Sequence, residues 1–192
     1  LRRNHQHRFE LPMLSAPAQF EPRDVPVDPY ALGLLLGDGC LTTKTTPSFT
    51  TADPELAAAL EAALPGIELK RKGDVDYGLR HVHGRRGGVI VSNPVTVALR
   101  ELGLAGTRSK TKFVPSAYLH NSPDVRLAVL QGLLDTDGGP VTQSNRTCRI
   151  QYSTCSQRMA KDVVFLVRSL GGVAYVRRRR AKGRPPGRAN GR

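Results

Sequence analysis

Two acidic residues, Asp38 and Asp137, occupy the same place in two similar segments of the chain. Residues 31–39 read ALGLLLGDG and residues 130–138 read LQGLLDTDG, so both segments are largely apolar and end in Asp-Gly. Two carboxylates brought close together repel each other, and the pKa of one rises unless a cation lies near them. Carboxylate oxygens are the ligands that Mg²⁺ or Mn²⁺ prefers. The pair therefore predicts a divalent-metal site with Asp38 and Asp137 as its ligands.

Both segments have the features of short helices that would hold these acids. Asp28-Pro29 and Ser122-Pro123 are typical of helix N-termini. Gly39 and Gly138 follow the expected helix ends, where a left-handed residue is common. The first helix is apolar on nearly all sides, which predicts that it is buried. A carboxylate at a helix C-terminus is disfavoured by the helix dipole, and a bound cation would remove that penalty.

Small residues recur at helical spacing in both segments. Gly33 and Gly37 are four apart in the first segment, and Gly132 and Thr136 match them in the second. Residues four apart share a helix face, and small ones allow two helix backbones to approach closely. We expect these four residues to form the contact between the helices. The alternative is two unrelated buried helices ended by surface Asp-Gly turns, which are common, but this leaves the repetition unexplained.

The two segments resemble the paired LAGLIDADG motifs of homing endonucleases, specifically the two-motif, single-chain type found in inteins. The resemblance implies an α+β fold of two pseudo-symmetric αββαββα halves. The halves would pack through the motif helices, and their sheets would form a DNA-binding saddle. It also implies that Asp38 and Asp137, the eighth motif residues, bind the catalytic metals. Leu36 departs from the family pattern, at a position that is not a metal ligand.

The composition favours a duplex DNA partner. The 192 residues include 29 Lys and Arg against 16 Asp and Glu, a net charge of +13, which indicates a polyanionic partner. Five Phe, five Tyr and no Trp argue against modules that stack single-stranded bases. The three cysteines form neither a disulfide framework nor a zinc-ligand spacing. We expect a monomer in a reducing bacterial or archaeal cytoplasm, with no membrane segment.

Four segments are expected along the chain. Residues 1–28 are polar and rich in proline, which predicts a linker or arm, and the resemblance implies that it leads from a splicing domain outside this chain. Residues 29–121 form the first half and residues 122–180 the second half, which lacks its last strands. Residues 181–192 are predicted to be a flexible basic segment. The resemblance implies that the host protein and the splicing domain belong to the same precursor.

Local patterns predict the remaining helices and strands. In the first half, strands are expected at 41–51, 67–72, 77–83 and 89–91, and helices at 54–64 and from Asn93-Pro94 to Gly103. In the second half, strands are expected at 141–144, 148–153 and 173–177, with a helix that begins after Thr154 or Ser156 and ends at Leu170. Phe-Thr-Thr precedes the helix in the first half and Tyr-Ser-Thr in the second, so the repeat extends beyond the motifs.

A lysine between the halves is a third candidate for chemistry. Residues 109–115 read SKTKFVP. They resemble the Lys-x-x-Pro block that precedes the second motif in intein endonucleases and supplies a catalytic lysine. The matching residue is Lys112, whose charge could polarise the attacking water or stabilise the developing phosphorane. The alternative is a surface lysine in a loop.

Basic residues on strands, turns and the C-terminal segment are the candidates for contacts with DNA. They are Lys44, Lys70, Lys72, Arg80, Arg85, Arg86, Arg146, Arg149, Arg177 and Arg179. A solvated sheet face is the alternative explanation for those on strands.

These observations together predict site-specific, metal-dependent hydrolysis of double-stranded DNA. The resemblance implies that the target is an intein-free copy of the host gene. Two alternatives remain open. One is a LAGLIDADG protein that binds DNA as a regulator or has lost activity. The other is an RNA maturase, which would prefer structured RNA to a DNA duplex.

Overall fold

The computed structural model describes residues 2–3, 6–7, 12–43, 46–142 and 148–179, and its fold is α+β with small antiparallel sheets. Lys44, Arg146 and the segment 181–192 lie outside the described residues, and so do the side chains of Arg85 and Arg86. The elements are β1 (Arg2–Arg3), β2 (Gln6–His7), α1 (Pro29–Asp38), β3 (Gly39–Cys40), β4 (Ser48–Thr50), α2 (Pro54–Ala62), β5 (Ile67–Arg71), β6 (Asp76–His81), β7 (Arg85–Arg86), β8 (Val89–Ile90), α3 (Pro94–Glu101), α4 (Ser116–Leu119), α5 (Pro123–Asp137), β9 (Gly138–Thr142), β10 (Cys148–Tyr152) and α6 (Gln157–Ser169).

A four-stranded sheet forms the centre of the first part of the chain. Its order is β3-β4-β6-β5, and all neighbours are antiparallel. Phe49 and Leu79 are fully buried on one face, in the same core as Leu60 of α2. Because side chains alternate along a strand, the opposite face holds the polar positions of the same strands. From α1 to α3 the element order is α-β-β-α-β-β-α, with the hairpin β7-β8 inserted before α3.

Most locally encoded elements are confirmed. Asp28, Asp53 and Asn93 accept backbone hydrogen bonds at the starts of α1, α2 and α3, and of the two candidates for α6 it is Ser156 that does so. The predicted strand at 41–51 is wrong in extent, since only Ser48–Thr50 is a strand among its described residues, and the preceding strand, Gly39–Cys40, ends before it. Leu41 lies outside the sheet, and its carbonyl instead accepts the N–H of Gly106 at 2.7 Å.

The described second part of the chain has the order α-β-β-α, with β9 and β10 paired as a hairpin between α5 and α6. The predicted strand at 173–177 is wrong: residues 173–179 contain no strand, and Tyr175 is 82% exposed. At the matching place in the first part, β5 is held by its ladder with β6. The described residues after α6 offer no such partner, and an unpaired strand does not form alone.

The expectation of left-handed glycines after the motif helices is also wrong. Gly39 (φ −78°, ψ 139°) and Gly138 (φ −101°, ψ 165°) are extended, so each helix passes directly into a strand. Glycine is required there for space. A Cβ on Gly138 would lie 2.5 Å from the carbonyl oxygen of Leu134, and Gly39 is equally close to the carbonyl of Leu35.

The described part of the predicted arm packs along the helices of the second part. The Ala18 N–H donates to the carbonyl of Ser169 at 2.8 Å, and the buried guanidinium of Arg126 donates to the carbonyl of Ala18. The hydroxyl of Tyr118 both donates to the carbonyl of Val27 (2.8 Å) and accepts its N–H (3.1 Å). These contacts join residues 18–27 to α4, α5 and α6. Within the described residues, no helix is long and apolar enough to cross a membrane.

Candidate active site

The helices α1 and α5 pack so closely that their backbones are in contact. A Cβ built on Gly33 would lie 2.5 Å from the carbonyl oxygen of Val129 and 2.9 Å from the Cα of Gly132. One turn further on, Gly37 lies against the side chain of Thr136, whose hydroxyl is turned back to the Gly132 carbonyl at 3.1 Å. The four small residues singled out from the sequence therefore line this contact, and the two helices end side by side.

The adjoining helix ends bring the carboxylates of Asp38 and Asp137 near each other. Asp38 is half-buried and Asp137 is more exposed. Loss of surrounding water raises the pKa of both carboxyl groups, the charge of Asp38 raises that of Asp137 further, and Lys112 lowers both. Among the described residues, no group donates a hydrogen bond to either carboxylate. The fold thus places two carboxylates, whose negative charge Lys112 offsets only in part, at the negative ends of two helices.

The ammonium group of Lys112 lies at the C-terminal end of α1. Its Nζ donates to the carbonyls of Leu35 (3.2 Å), Gly37 (2.9 Å) and Gly39 (2.7 Å), which use all three of its protons. Lys112 is 5% exposed, so the alternative of a surface lysine is wrong. Burial lowers the pKa of Lys112, and the charges of the two acids raise it. The structure therefore brings Asp38, Asp137 and Lys112 together, with the lysine as a cap on α1.

A cleft of about 630 Å³ opens beside Asp38. Hydroxyl and cationic groups that the sequence analysis did not single out contribute to its lining, namely Thr42, Thr50, Thr107, Arg108 and Ser109, and Cys40 also lines it. Such a lining suits an anionic oxygen of a phosphate. The available signal was the basic run from Arg108 to Lys112, of which only Lys112 was considered.

Tyr152 is a further residue near the acids that was not singled out from the sequence. It ends β10 and pairs with Gly138, the residue after Asp137. Burial and the charges of Asp137 and Asp38 raise the pKa of its phenol. At the matching place in the first sheet, Phe49 pairs with Gly39. The parallel between Phe-Thr-Thr and Tyr-Ser-Thr was visible in the sequence, but the phenol near the acids was not inferred from it.

Lys70 and Arg80 lie on the polar face of the first sheet, and so does Lys72 directly after β5, whereas Arg71 lies on the opposite face. Lys70 pairs with Gly78, and the side chain of Lys72 passes over the same glycine. Thr50 is on this face and also lines the cleft, so the face continues towards Asp38. The ionisable side chains at these alternate positions are Lys70, Lys72 and Arg80 together with Glu68 and Asp76.

The other predicted DNA contacts in the described part of the chain lie on β7, on β10 and after α6. Arg149 is exposed on β10, and Arg177 and Arg179 are exposed in the chain that follows α6. Arg85 and Arg86 form β7, of which only the backbone is described.

The two carboxylates fit a divalent cation that binds DNA at the same time. No cluster of three or more His, Cys, Asp or Glu side chains suited to a metal occurs in the described part of the chain. Mg²⁺ commonly takes only one or two protein carboxylates and fills its other positions with water and substrate phosphate oxygens. Two acids with raised pKa values and no hydrogen-bond donors match that requirement.

We expect Asp38→Asn and Asp137→Asn to raise the melting temperature at pH 7.5 in EDTA. A carboxyl whose pKa is raised by folding stabilises the native state below its ordinary pKa, and this stability is lost as the pH rises through the raised value. Asparagine stays neutral and avoids the loss, so the gain should shrink as the pH falls towards 4. Melting curves at several pH values measure it, with the exposed Asp135→Asn as the control on α5. Variants that are less stable than wild type at pH 7.5 would contradict the expectation.

Comparison with known proteins supports the LAGLIDADG family. Residues 124–188, about a third of the chain, match the family described as "LAGLIDADG-like domain". The match begins in the first turn of α5 and includes Asp137, the β9-β10 hairpin and α6.

The curated relatives are much longer than this chain. The replicative DNA helicase DnaB of Mycobacterium intracellulare is 32% identical over 162 residues, which cover 84% of this chain and 22% of the helicase. The DnaB of Synechocystis sp. is 30% identical over 155 residues, which cover 73% of this chain and 17% of that helicase. A DNA gyrase polypeptide of Mycobacterium leprae is 38% identical over 72 residues, covering 38% and 6%. The chain thus spans less than a quarter of each relative.

Proposed function

We propose that this chain is the homing endonuclease part of an intein, of the two-motif, single-chain type. It makes a double-strand break at a specific site in an intein-free copy of the host gene. The observation that carries the proposal is the packing of α1 on α5, which brings two acids together beside Lys112 at a helix-helix interface. Two pseudo-symmetric halves would each serve one strand of the duplex.

The relatives support the interpretation of this chain as an inserted element and not as a helicase domain. One chain matches short parts of proteins that carry two different names, a replicative helicase and a DNA gyrase polypeptide. A region common to both is more simply explained as an element that has entered different host genes than as part of either activity. We infer that the host gene here is of the DnaB kind, because the longest matches are to those proteins.

The residues divide the work of phosphodiester hydrolysis. Asp38 and Asp137 would hold the divalent cation, which would supply an activated water and stabilise the leaving oxygen. Lys112 fixes the end of α1 and places a positive charge beside both acids, where it offsets charge that develops on the phosphate. Arg108 and the threonines of the cleft hold phosphate oxygens. The polar sheet face contacts the duplex and reads base edges.

A plasmid assay tests the proposal. The substrate carries an intein-free dnaB-type gene, and the control carries the same gene interrupted at the insertion site. With Mg²⁺ the protein should linearise the first plasmid and leave the second intact, and EDTA should stop the reaction. Tight duplex binding without cleavage would favour the regulatory or inactive alternative. Preferential binding of structured RNA would favour a maturase.

We expect affinity for duplex DNA to fall steeply with salt. The net charge of +13 implies that phosphate contacts supply much of the affinity, with a log-log slope of about −0.9 per phosphate contacted. Deletion of the chain after Arg177 should flatten this slope and leave the preference for the specific site, since base contacts are assigned to the sheets. Titrations of specific and non-specific duplexes at several salt concentrations measure both effects. An unchanged slope would mean that the deleted residues do not contact DNA.

A further inference from the structure

We infer that α6, a helix of the second half, positions Lys112 at the end of the first motif helix through Ser156 and Asp162. Residues 112–114, which we call the strut, connect α1 with α6. The side chain of Lys112 contacts α1, and α6 holds the backbone of the strut. The inference rests on the proposed function in one respect, namely that Lys112 assists cleavage.

The first attachment is through Ser156, which is 2% exposed. Its hydroxyl donates to the carbonyl of Lys112 at 2.7 Å and accepts the N–H of Met159 at 3.1 Å as the N-cap of α6. One buried hydroxyl therefore joins the start of α6 to the lysine whose Nζ caps α1.

The second attachment is through Asp162, which lies six residues after Ser156 in α6 and is 8% exposed. Its Oδ2 accepts the N–H of Val114 at 2.9 Å. Between the two attachments, the guanidinium carbon of Arg158 lies 3.7 Å from the ring centroid of Phe113. Each of the three strut residues thus contacts a different side chain of α6.

This arrangement makes the position of the Lys112 ammonium depend on the opposite half of the molecule. Lys112 reaches three carbonyls of the first half, Leu35, Gly37 and Gly39, while its own carbonyl is held by the second half. Ser156 and Asp162 are therefore positioning residues, and their loss should disturb the end of α1 without removing any group that contacts the acids.

The chain contains a matched control for Ser156. Asp53 caps α2 in the first half by accepting the N–H of Glu55 at 2.8 Å. The N–H groups of Asp53 and Ser156 both donate to a threonine hydroxyl two residues earlier, at 3.1 Å in each case. Asp53 has no counterpart of the bond to Lys112, so Asp53→Ala removes a similar cap and leaves the strut intact.

Chemical modification of lysine tests the strut without any cleavage reaction. The full chain is treated briefly with an amine-acylating reagent, and modification of each lysine is followed by mass spectrometry. Lys112 should be protected in the wild type. In Ser156→Ala and in Asp162→Ala it should react about five to ten times faster, the factor expected for one lost hydrogen bond. In Asp53→Ala and in Ser156→Thr, which keeps the hydroxyl, Lys112 should stay protected.

Plasmid cleavage provides the second measurement. Ser156→Ala should slow the cut in one strand more than in the other, so that a nicked circle with a break in one defined strand accumulates at unchanged KM. Asp53→Ala should not produce this bias. Equal protection of Lys112 in Ser156→Ala, Asp162→Ala and wild type would overturn the inference. If the wild type cuts no duplex, the proposed function fails, and the modification experiment alone decides the inference.

Discussion

Replacement of either Asp38 or Asp137 by asparagine should abolish double-strand cleavage while duplex binding remains nearly unchanged. In the proposed site each carboxylate supplies a ligand to a cation that the other helps to hold, and an amide is a neutral and much weaker ligand. The loss in single-turnover rate should be about a thousandfold or more, since neither acid can replace the other. Binding should persist because the proposed function assigns the phosphate contacts to residues other than these two acids.

Asp135→Asn is the matched control for this result. Asp135 is an exposed acid on the same helix, two residues before Asp137, and it accepts a hydrogen bond from the Tyr30 hydroxyl at 2.8 Å. The substitution makes the same change of charge outside the paired site, so cleavage should continue. Linearisation of plasmid in Mg²⁺ and gel mobility in Ca²⁺ separate catalysis from binding. Full cleavage by Asp38→Asn or Asp137→Asn would show that the substituted residue is not a metal ligand.

Features that depend on neighbours in sequence could be predicted. Asp28, Asp53 and Asn93 each act on N–H groups two or three residues away, so the local pattern contains the whole interaction. The stripe of small residues was also predictable, because the same spacing occurs twice and indicates that each stripe faces the other.

Features that depend on distant contacts could not. Gly39 and Gly138 are extended because they begin β3 and β9 and pair with Phe49 and Tyr152, which the residues next to them in the sequence do not show. Arg108 lines the cleft beside Asp38 although the two residues are far apart in the sequence. The strand expected at 173–177 had a suitable pattern, but a strand also needs a partner, and residue types alone do not reveal whether one is present.

Substitution of Gly33 should destabilise the fold more than a change of side-chain volume alone suggests. A Cβ there would lie 2.5 Å from the carbonyl oxygen of Val129 and 3.0 Å from the amide nitrogen of Leu133, so even alanine meets backbone and not a side chain that can rotate. We expect Gly33→Ala to cost about 1–3 kcal/mol and Gly33→Leu about 3 kcal/mol or more, because whole helices must separate. Urea denaturation measures the free energy of unfolding.

Gly139→Ala is the control, since no atom lies within 4 Å of a Cβ at that position and its change should be within about 0.5 kcal/mol. An unchanged stability in Gly33→Leu would mean that α1 and α5 do not pack as described. The same clash has a catalytic consequence, because the contact at Gly33 determines how closely the two helix ends approach. At a temperature where Gly33→Ala is still folded, cleavage should fall far more than duplex binding. A folded variant that cleaves at the wild-type rate would instead show that the two acids act without the spacing that this interface gives them.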